Sequence, residues 1–407
     1  MARGGSTNAT AGRPRNSPTA TATRRSCRIC GMCGVADECI ARGRWPRAAR
    51  ATREEGGTPM TAGFHGRKIS AGAKLLATGC AVGLLCCRTP AAAQAPGRVA
   101  IPIRQAVNSR GSVRFFVPIT IGDEAPLDAM IDTGSPGLRV LRTALTAQAQ
   151  IWPTGRPSRA HYTSGVMATG TVGMATIRFA AGAIGSSIPI EVVTQIRCTS
   201  GKPNCRGGQL SLDEFGFGGS GAAEEGFRAI IGISPAVEHG RRPDIPNPLE
   251  ALGIERWIVE LPHPGDHEPG RLILNPDKTD ITGFEMFRTV DPGHGRIRGC
   301  IVNRDRHTRL CGPSILDTGA DSIRIESPWL ERRRHWQPGT LVALSFGGAL
   351  HSEFYVGDLA PVSNIILVPS HRRGPNRLFL GVIPYYFYSV LYDAGRHKIG
   401  LRPRPFR

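Results

Sequence analysis

The sequence predicts a mainly β fold. Three observations carry this. From about Phe115 onward the chain is a series of short apolar, β-branched segments divided by Gly and Pro. Stretches with a helical pattern are few and short. One unit, an apolar run entering Asp-Thr-Gly, occurs twice.

The elements follow in order. Strands are expected at residues 115–121, 127–131, 172–179, 188–193, 271–274 and 341–346, where β-branched and apolar residues dominate between turn signals. Short helices are expected at 141–150, 248–252 and 329–336. The last has Ser327 as N-cap and Pro328 at the first helical position. Glycine-rich 216–226 and 263–270 read as surface loops, with His263 and His267 solvated rather than metal-bound.

Composition sets bounds. The 407 residues are 40% hydrophobic and 20% charged, which is ordinary for a globular chain with a sizeable core. The net charge of +19 is misleading. Residues 1–93 hold 15 Lys/Arg and 4 Asp/Glu, leaving 36 and 28, or +8, for residues 94–407. Only five of the basic residues are Lys. No basic stripe interleaved with aromatics is present, so a nucleic-acid partner is disfavoured. H-E-x-x-H and G-x-S-x-G are both absent, which disfavours zinc hydrolysis and a serine hydrolase.

The N-terminal region reads as an export signal. Residues 1–59 lack apolar period and are assigned to a mis-called or disordered leader. Within 60–93, Arg67, Lys68 and Lys74 precede the apolar run 75–87, and small residues lead to cleavage after Ala93. That run is too short to span a bilayer, so no stable membrane span is expected. The mature protein is expected to be periplasmic or secreted, and monomeric. Cys27, Cys30, Cys33 and Cys39 loosely follow iron–sulfur spacing, but the final gap departs from it. No metal or organic cofactor is assigned. Cys80, Cys86 and Cys87 leave with the signal. Cys198, Cys205, Cys300 and Cys311 remain, and an exported chain should oxidise them to two disulfides. Three connectivities are possible. Cys198–Cys205 and Cys300–Cys311 are favoured because each closes a short loop.

The chemistry sits in the repeat. Leu127–Ile131 leads into Asp132-Thr133-Gly134-Ser135, and Pro313–Leu316 into Asp317-Thr318-Gly319-Ala320, 185 residues later. An apolar strand carries each Asp inward. Gly permits a tight turn and close approach of the two loops. Each Thr hydroxyl can bond across to the other loop. Two adjoining carboxylates cannot both ionise easily, so they share a proton. One is then a base on a water, and the other polarises a carbonyl.

Here the residues resemble the pepsin family of aspartic proteases, over about 290 residues from Phe115 to Leu401. Residues 116–122 look like the family's first strand. Ala229-Ile230-Ile231-Gly232 and Leu378-Phe379-Leu380-Gly381 look like the two segments that thread behind the catalytic loops. Residues 391–393 and 399–401 look like its last strands. The Cys300/Cys311 pair is similar to a disulfide hairpin in many members. The resemblance implies an aspartic endopeptidase with a bilobal double-β-barrel fold, a 94–282 lobe and a 283–407 lobe, a central cleft and a peptide or protein substrate. It implies a flap closing over that substrate, with Tyr162 as its tyrosine and Gly165 in its turn. The alternative function is a catalytically silent pepsin-fold binding or inhibitor protein of the cell envelope. Two departures stand out. Ala320 replaces the usual Ser or Thr. The lost hydroxyl should favour protonated Asp317 and raise the working pH, and Ala320→Ser should move the acidic limb of a pH–rate profile. Arg139 stands where pepsins often have Trp, which puts the flap's support in question. The short interval between Gln94 and Phe115 predicts no long basic prosegment.

Overall fold

A computed structural model describes residues 97–405, except 180–181, 183, 236–244, 291–294 and 371. The described residues all fall in one compact unit, Cys86–Arg407. The leader, the signal segment and the seven cysteines before Cys198 lie outside the described residues.

The protein is mainly β, built as two large sheets. β1 (Val99–Val107), β2 (Val113–Ile121) and β3 (Leu127–Asp132) run antiparallel in succession. β4 (Pro136–Leu141), β5 (Trp152–His161), β6 (Val166–Phe179), β7 (Ile184–Cys198) and β8 (Ala229–Ile233) complete one end of the larger sheet. β9 (Arg256–Glu260) and β10 (Gly270–Leu274) continue it past β1. β1 is shared: Val99 to Ile103 pair with β10, and Arg104 to Val107 pair with β2. β11 (Glu285–Arg288) belongs to the same 13-stranded sheet.

The smaller, eight-stranded sheet holds β12 (Ile297–Asn303), β13 (Thr308–Ile315), β14 (Ile323–Ser327), β15 (Arg334–His335), β16 (Leu341–Phe346), β17 (Leu350–Tyr355), β18 (Ile365–Pro369) and β19 (Arg377–Phe379). β20 (Tyr388–Asp393) and β21 (Lys398–Pro403) then return to the larger sheet, β20 beside β9. Residues on both sides of Thr282 therefore share that sheet.

Burial follows the period-2 pleat. In β2, Phe115, Val117, Ile119 and Ile121 are buried on one face. Both sheets feed one apolar core, in which Trp257 stacks on Tyr392 at 5.5 Å between ring centroids.

Three expectations are corrected. Residues 141–150 form two single 3-10 turns, Arg142–Ala144 and Ala147–Ala149, rather than one helix. Leu141 still belongs to β4. Thr146 caps the second turn by accepting from the Gln148 N–H, and Gln150 ends it at φ +49°. Residues 329–336 are not helical. The Ser327 hydroxyl does accept from the Trp329 N–H at 3.3 Å. However, the Glu331-Arg332-Arg333-Arg334 run that follows has no apolar face to bury, and β15 pairs with β18 instead. Residues 216–226 do form a loop, exposed at Ala222, Ala223, Glu224 and Gly226, but its base is buried. Phe215 and Phe217 are buried, and Gly216 and Gly219 lie against the Glu225 carbonyl so closely that a Cβ would sit 2.4 and 2.3 Å from it. His263 is buried as well, while His267 is exposed. The helix at 248–252 is present as α1 (Pro248–Ala251), with the Asn247 side chain accepting from the Leu249 N–H at 2.9 Å.

Candidate active site

β3 and β13 each end in an Asp-Thr-Gly turn, and the fold brings the two turns together. β3 lies parallel to β8, with Asp132 opposite Gly232. β13 lies parallel to β19, with Ile315 opposite Phe379. Both segments singled out in the sequence thus lie behind the turns. A Cβ on Gly232 would meet the Ser135 carbonyl at 2.5 Å, so only glycine allows that approach. On the other side the Asp317 N–H donates to the Gly381 carbonyl at 3.2 Å.

The turns interlock through their threonines. The Thr133 hydroxyl donates to the Leu316 carbonyl (2.8 Å) and accepts from the Thr318 N–H (2.9 Å). The Thr318 hydroxyl donates to the Ile131 carbonyl (2.9 Å) and accepts from the Thr133 N–H (3.1 Å). The glycines face the opposite carboxylates. A Cβ on Gly134 would lie 2.5 Å from Asp317 Cγ, and one on Gly319 would lie 2.8 Å from Asp132 Oδ1.

Below the lock sits a buried pair of phenols. The Tyr385 hydroxyl donates to Thr133 Oγ1 at 2.8 Å, lies 3.2 Å from the Leu316 carbonyl and 2.6 Å from the Tyr392 hydroxyl. Burial raises the pKa of both, so both stay protonated. The aromatic stretch Tyr385-Tyr386-Phe387-Tyr388 is contiguous in the sequence, but nothing local to it points to Thr133.

The two carboxylates differ in their surroundings. Asp132 accepts from the Gly134 N–H (2.8 Å) and the Ser135 hydroxyl (2.5 Å). Asp317 accepts from the Gly319 N–H (2.9 Å), and Ala320 offers it no hydroxyl. Burial, then the charge and hydrogen bonding of Asp132, push the Asp317 carboxyl well above the usual carboxylate range. The Arg114 charge opposes this. Arg114 is itself held by Asp321 (3.3 Å), which also accepts from the Ser112 hydroxyl (2.9 Å). Nothing local in the sequence pairs Arg114 with Asp321, 207 residues away.

The β5–β6 hairpin turn is Tyr162-Thr163-Ser164-Gly165, with the Gly165 N–H donating to the Tyr162 carbonyl. Gly165 takes φ +96°, which favours glycine. Tyr162 packs on Phe217, 6.1 Å between centroids, and its hydroxyl is buried in the field of the Arg139 guanidinium. Arg139 is buried and donates to Glu191 at 2.9 Å, and Glu191 is fully buried. The parallel register of β4 and β7 sets Arg139 directly opposite Glu191. The residue whose support for Tyr162 was in question is therefore a fixed cation beside it. A charged residue within the apolar run Leu138–Leu141 was the available signal.

Asp132, Asp317 and Tyr162 line one cleft of about 710 Å³, together with Met130, Phe215 and Phe217. The disulfides Cys198–Cys205 and Cys300–Cys311 are formed. The first closes a loop beside the hairpin, where the Thr199 N–H donates to the Gly165 carbonyl at 2.8 Å. The second ties β12 to β13. Among the described residues, no cluster of His, Cys, Asp and Glu could hold a metal ion, and no helix is long and apolar enough to cross a membrane.

In comparisons with known proteins, the model of a family described as a protein of unknown function (DUF3443) matches residues 113–242. That span contains Asp132, Tyr162 and Cys198–Cys205, and stops short of Asp317. No curated protein matches the chain.

Proposed function

We propose that this chain is an exported, pepsin-like aspartic endopeptidase. The observation that carries the reading is the pair of interlocked Asp-Thr-Gly turns, which present two carboxylates to each other at the floor of a cleft. We read residues 94–282 and 283–407 as two similar lobes, each giving one Asp, with β11, β20 and β21 of the second joining the sheet of the first. The two local disulfides suit an oxidising compartment.

The asymmetry of the site supports an assignment of roles. Asp317 keeps the shared proton, because burial and the neighbouring charge disfavour its anion. Asp132, with two donors on its oxygens, carries the charge and acts as base on a water. The protonated Asp317 donates to the scissile carbonyl as the tetrahedral centre forms. The pair titrates as a unit. The substrate lies extended along the cleft, held through its backbone as an added strand would be. Tyr162 closes over it from the hairpin. No step needs a metal or organic cofactor.

The test is incubation of the purified chain with a mixed peptide library from pH 3 to 7, with Asp317→Asn alongside and cleavage read by mass spectrometry. Cutting by the wild type alone supports the dyad. A folded wild type that cuts at no pH overturns the reading and leaves a silent binding protein.

A further inference from the structure

The cleft is not evenly charged. Its floor holds the acidic pair, and its apolar wall comes from Met130, Phe215, Phe217 and Ile230. Lys202, Arg324 and Arg333 line the same cavity.

These three cations come from different parts of the chain. Lys202 lies on the Cys198–Cys205 loop. Its ammonium donates to the Thr163 carbonyl of the hairpin turn at 2.5 Å, and its stem packs so closely on Gly165 that a Cβ there would sit 2.6 Å away. Arg324 lies on β14, seven residues after Asp317. Arg333 lies just before β15. Burial, and then the charges of Arg324 and Arg333, lower the pKa of Lys202. The fold therefore gathers like charges from two loops and from β14.

The carboxylates nearby do not balance them. Glu326 is shared between Arg324 (2.9 Å) and Arg377. Asp321 is bonded to Arg114 and Ser112. Among the described residues, no carboxylate forms an ion pair with Lys202 or Arg333. Arg333, Asp321, Ser322 and Ile366 also line an adjoining pocket of about 410 Å³. On the Arg333 side the cleft thus adjoins space enough for a side chain.

We propose that the arm bounded by Lys202, Arg324 and Arg333 binds an acidic side chain of the substrate, so that cleavage falls near an Asp or Glu. A carboxylate there would face three cations, Lys202 and Arg333 from loops and Arg324, shared with Glu326, from β14, and charge-assisted bonds are the strong ones. A neutral Gln of the same length would leave the cations facing one another. The inference rests on the peptidase reading. It gives that reading a substrate class, a peptide with apolar residues for the Phe215–Phe217 wall and a carboxylate for the arm.

The test uses the purified chain and peptides blocked at both ends. Each peptide carries Glu or Gln at one position, with otherwise identical sequence. A second set has a free C terminus, to separate a side-chain carboxylate from a terminal one. The expected result is a preference of about tenfold or more in kcat/KM for Glu over Gln at one position, the effect of about one charged hydrogen bond. Lys202→Glu and Arg333→Glu should abolish or reverse it, and added salt should weaken it. Arg333 is exposed, so its variant should fold, which a thermal melt checks. A wild type that cuts nothing overturns the peptidase reading and this inference with it. A wild type that cuts Glu and Gln peptides alike at every position overturns this inference alone. So does a preference unchanged in both variants, or one confined to peptides with a free C terminus.

Discussion

The threonine lock should be unequal in its two halves, and the inequality can be measured. Replace each Thr by Val, which keeps the shape and removes the hydroxyl. Thr318→Val orphans two groups, the Thr133 N–H and the Ile131 carbonyl. Thr133→Val removes the partners of the Thr318 N–H and the Leu316 carbonyl. However, the Tyr385 hydroxyl already lies 3.2 Å from the Leu316 carbonyl and is free to donate to it once Thr133 Oγ1 is gone. One orphaned group then remains instead of two. Each buried orphan costs about 1–3 kcal/mol. Thr318→Val should therefore destabilise more than Thr133→Val by about 1–3 kcal/mol, one orphan's worth. Guanidinium unfolding with unchanged m-values gives both numbers. In a Tyr385→Phe background the spare donor is lost, and the cost of Thr133→Val should rise by a similar amount. If Thr133→Val costs as much as Thr318→Val, or if Tyr385→Phe leaves its cost unchanged, the spare-donor argument is wrong.

Three further outcomes follow from the site. The folded pKa of Asp317 is raised, so its stabilising share is present below the ordinary carboxylate range and lost as pH rises through the folded value. Asp317→Asn should match wild-type stability near pH 3–4 and exceed it at neutral pH, gaining at most about 1.4 kcal/mol per pH unit within that window; thermal melts across pH check the sign. Arg139→Met removes the cation from the fully buried Glu191 and should cost about 3–5 kcal/mol. Arg139→Met/Glu191→Met should recover most of that stability while still lacking the cation beside Tyr162, so its peptide-cleavage rate should stay low. Replacing Cys198 and Cys205 by Ser should raise KM, because their loop braces the hairpin turn at Gly165. The same change at Cys300 and Cys311 should lower stability by about 2–3 kcal/mol for so short a loop and leave KM unchanged.

What the sequence revealed was what is written contiguously. Each Asp-Thr-Gly turn is announced by its own apolar strand, and its repetition pairs the two halves without any knowledge of the fold. The disulfides were readable for the same reason, since Cys198 and Cys205 are seven residues apart. The supports of the site were not readable, because they are made by register and return. Arg139 meets Glu191, 52 residues away, only because β4 lies parallel to β7. Tyr385 reaches Thr133 across 252 residues, after the chain has built the smaller sheet and come back. The helix expected at 329–336 failed in the opposite way. Its cap is a local signal and is present, but a helix also needs an apolar face, and Glu331–Arg334 supplies none.

The same distinction accounts for the chemistry. Two identical turns locked by identical threonines would give a symmetric pair of carboxylates, with nothing to choose which holds the proton. The features that break the symmetry lie outside the repeated tripeptide. Ser135 donates to the Asp132 carboxylate, and Ala320 has no hydroxyl to give that of Asp317. Asp321 holds Arg114, whose charge pulls the Asp317 pKa back down against burial and Asp132. The backbone lock brings the two acids together, and these flanking residues decide how the proton is divided between them. Burial and the neighbouring Asp132 raise the Asp317 pKa, and the residues around the repeat, 112, 114, 135, 320 and 321, then tune the working pH of the proposed peptidase.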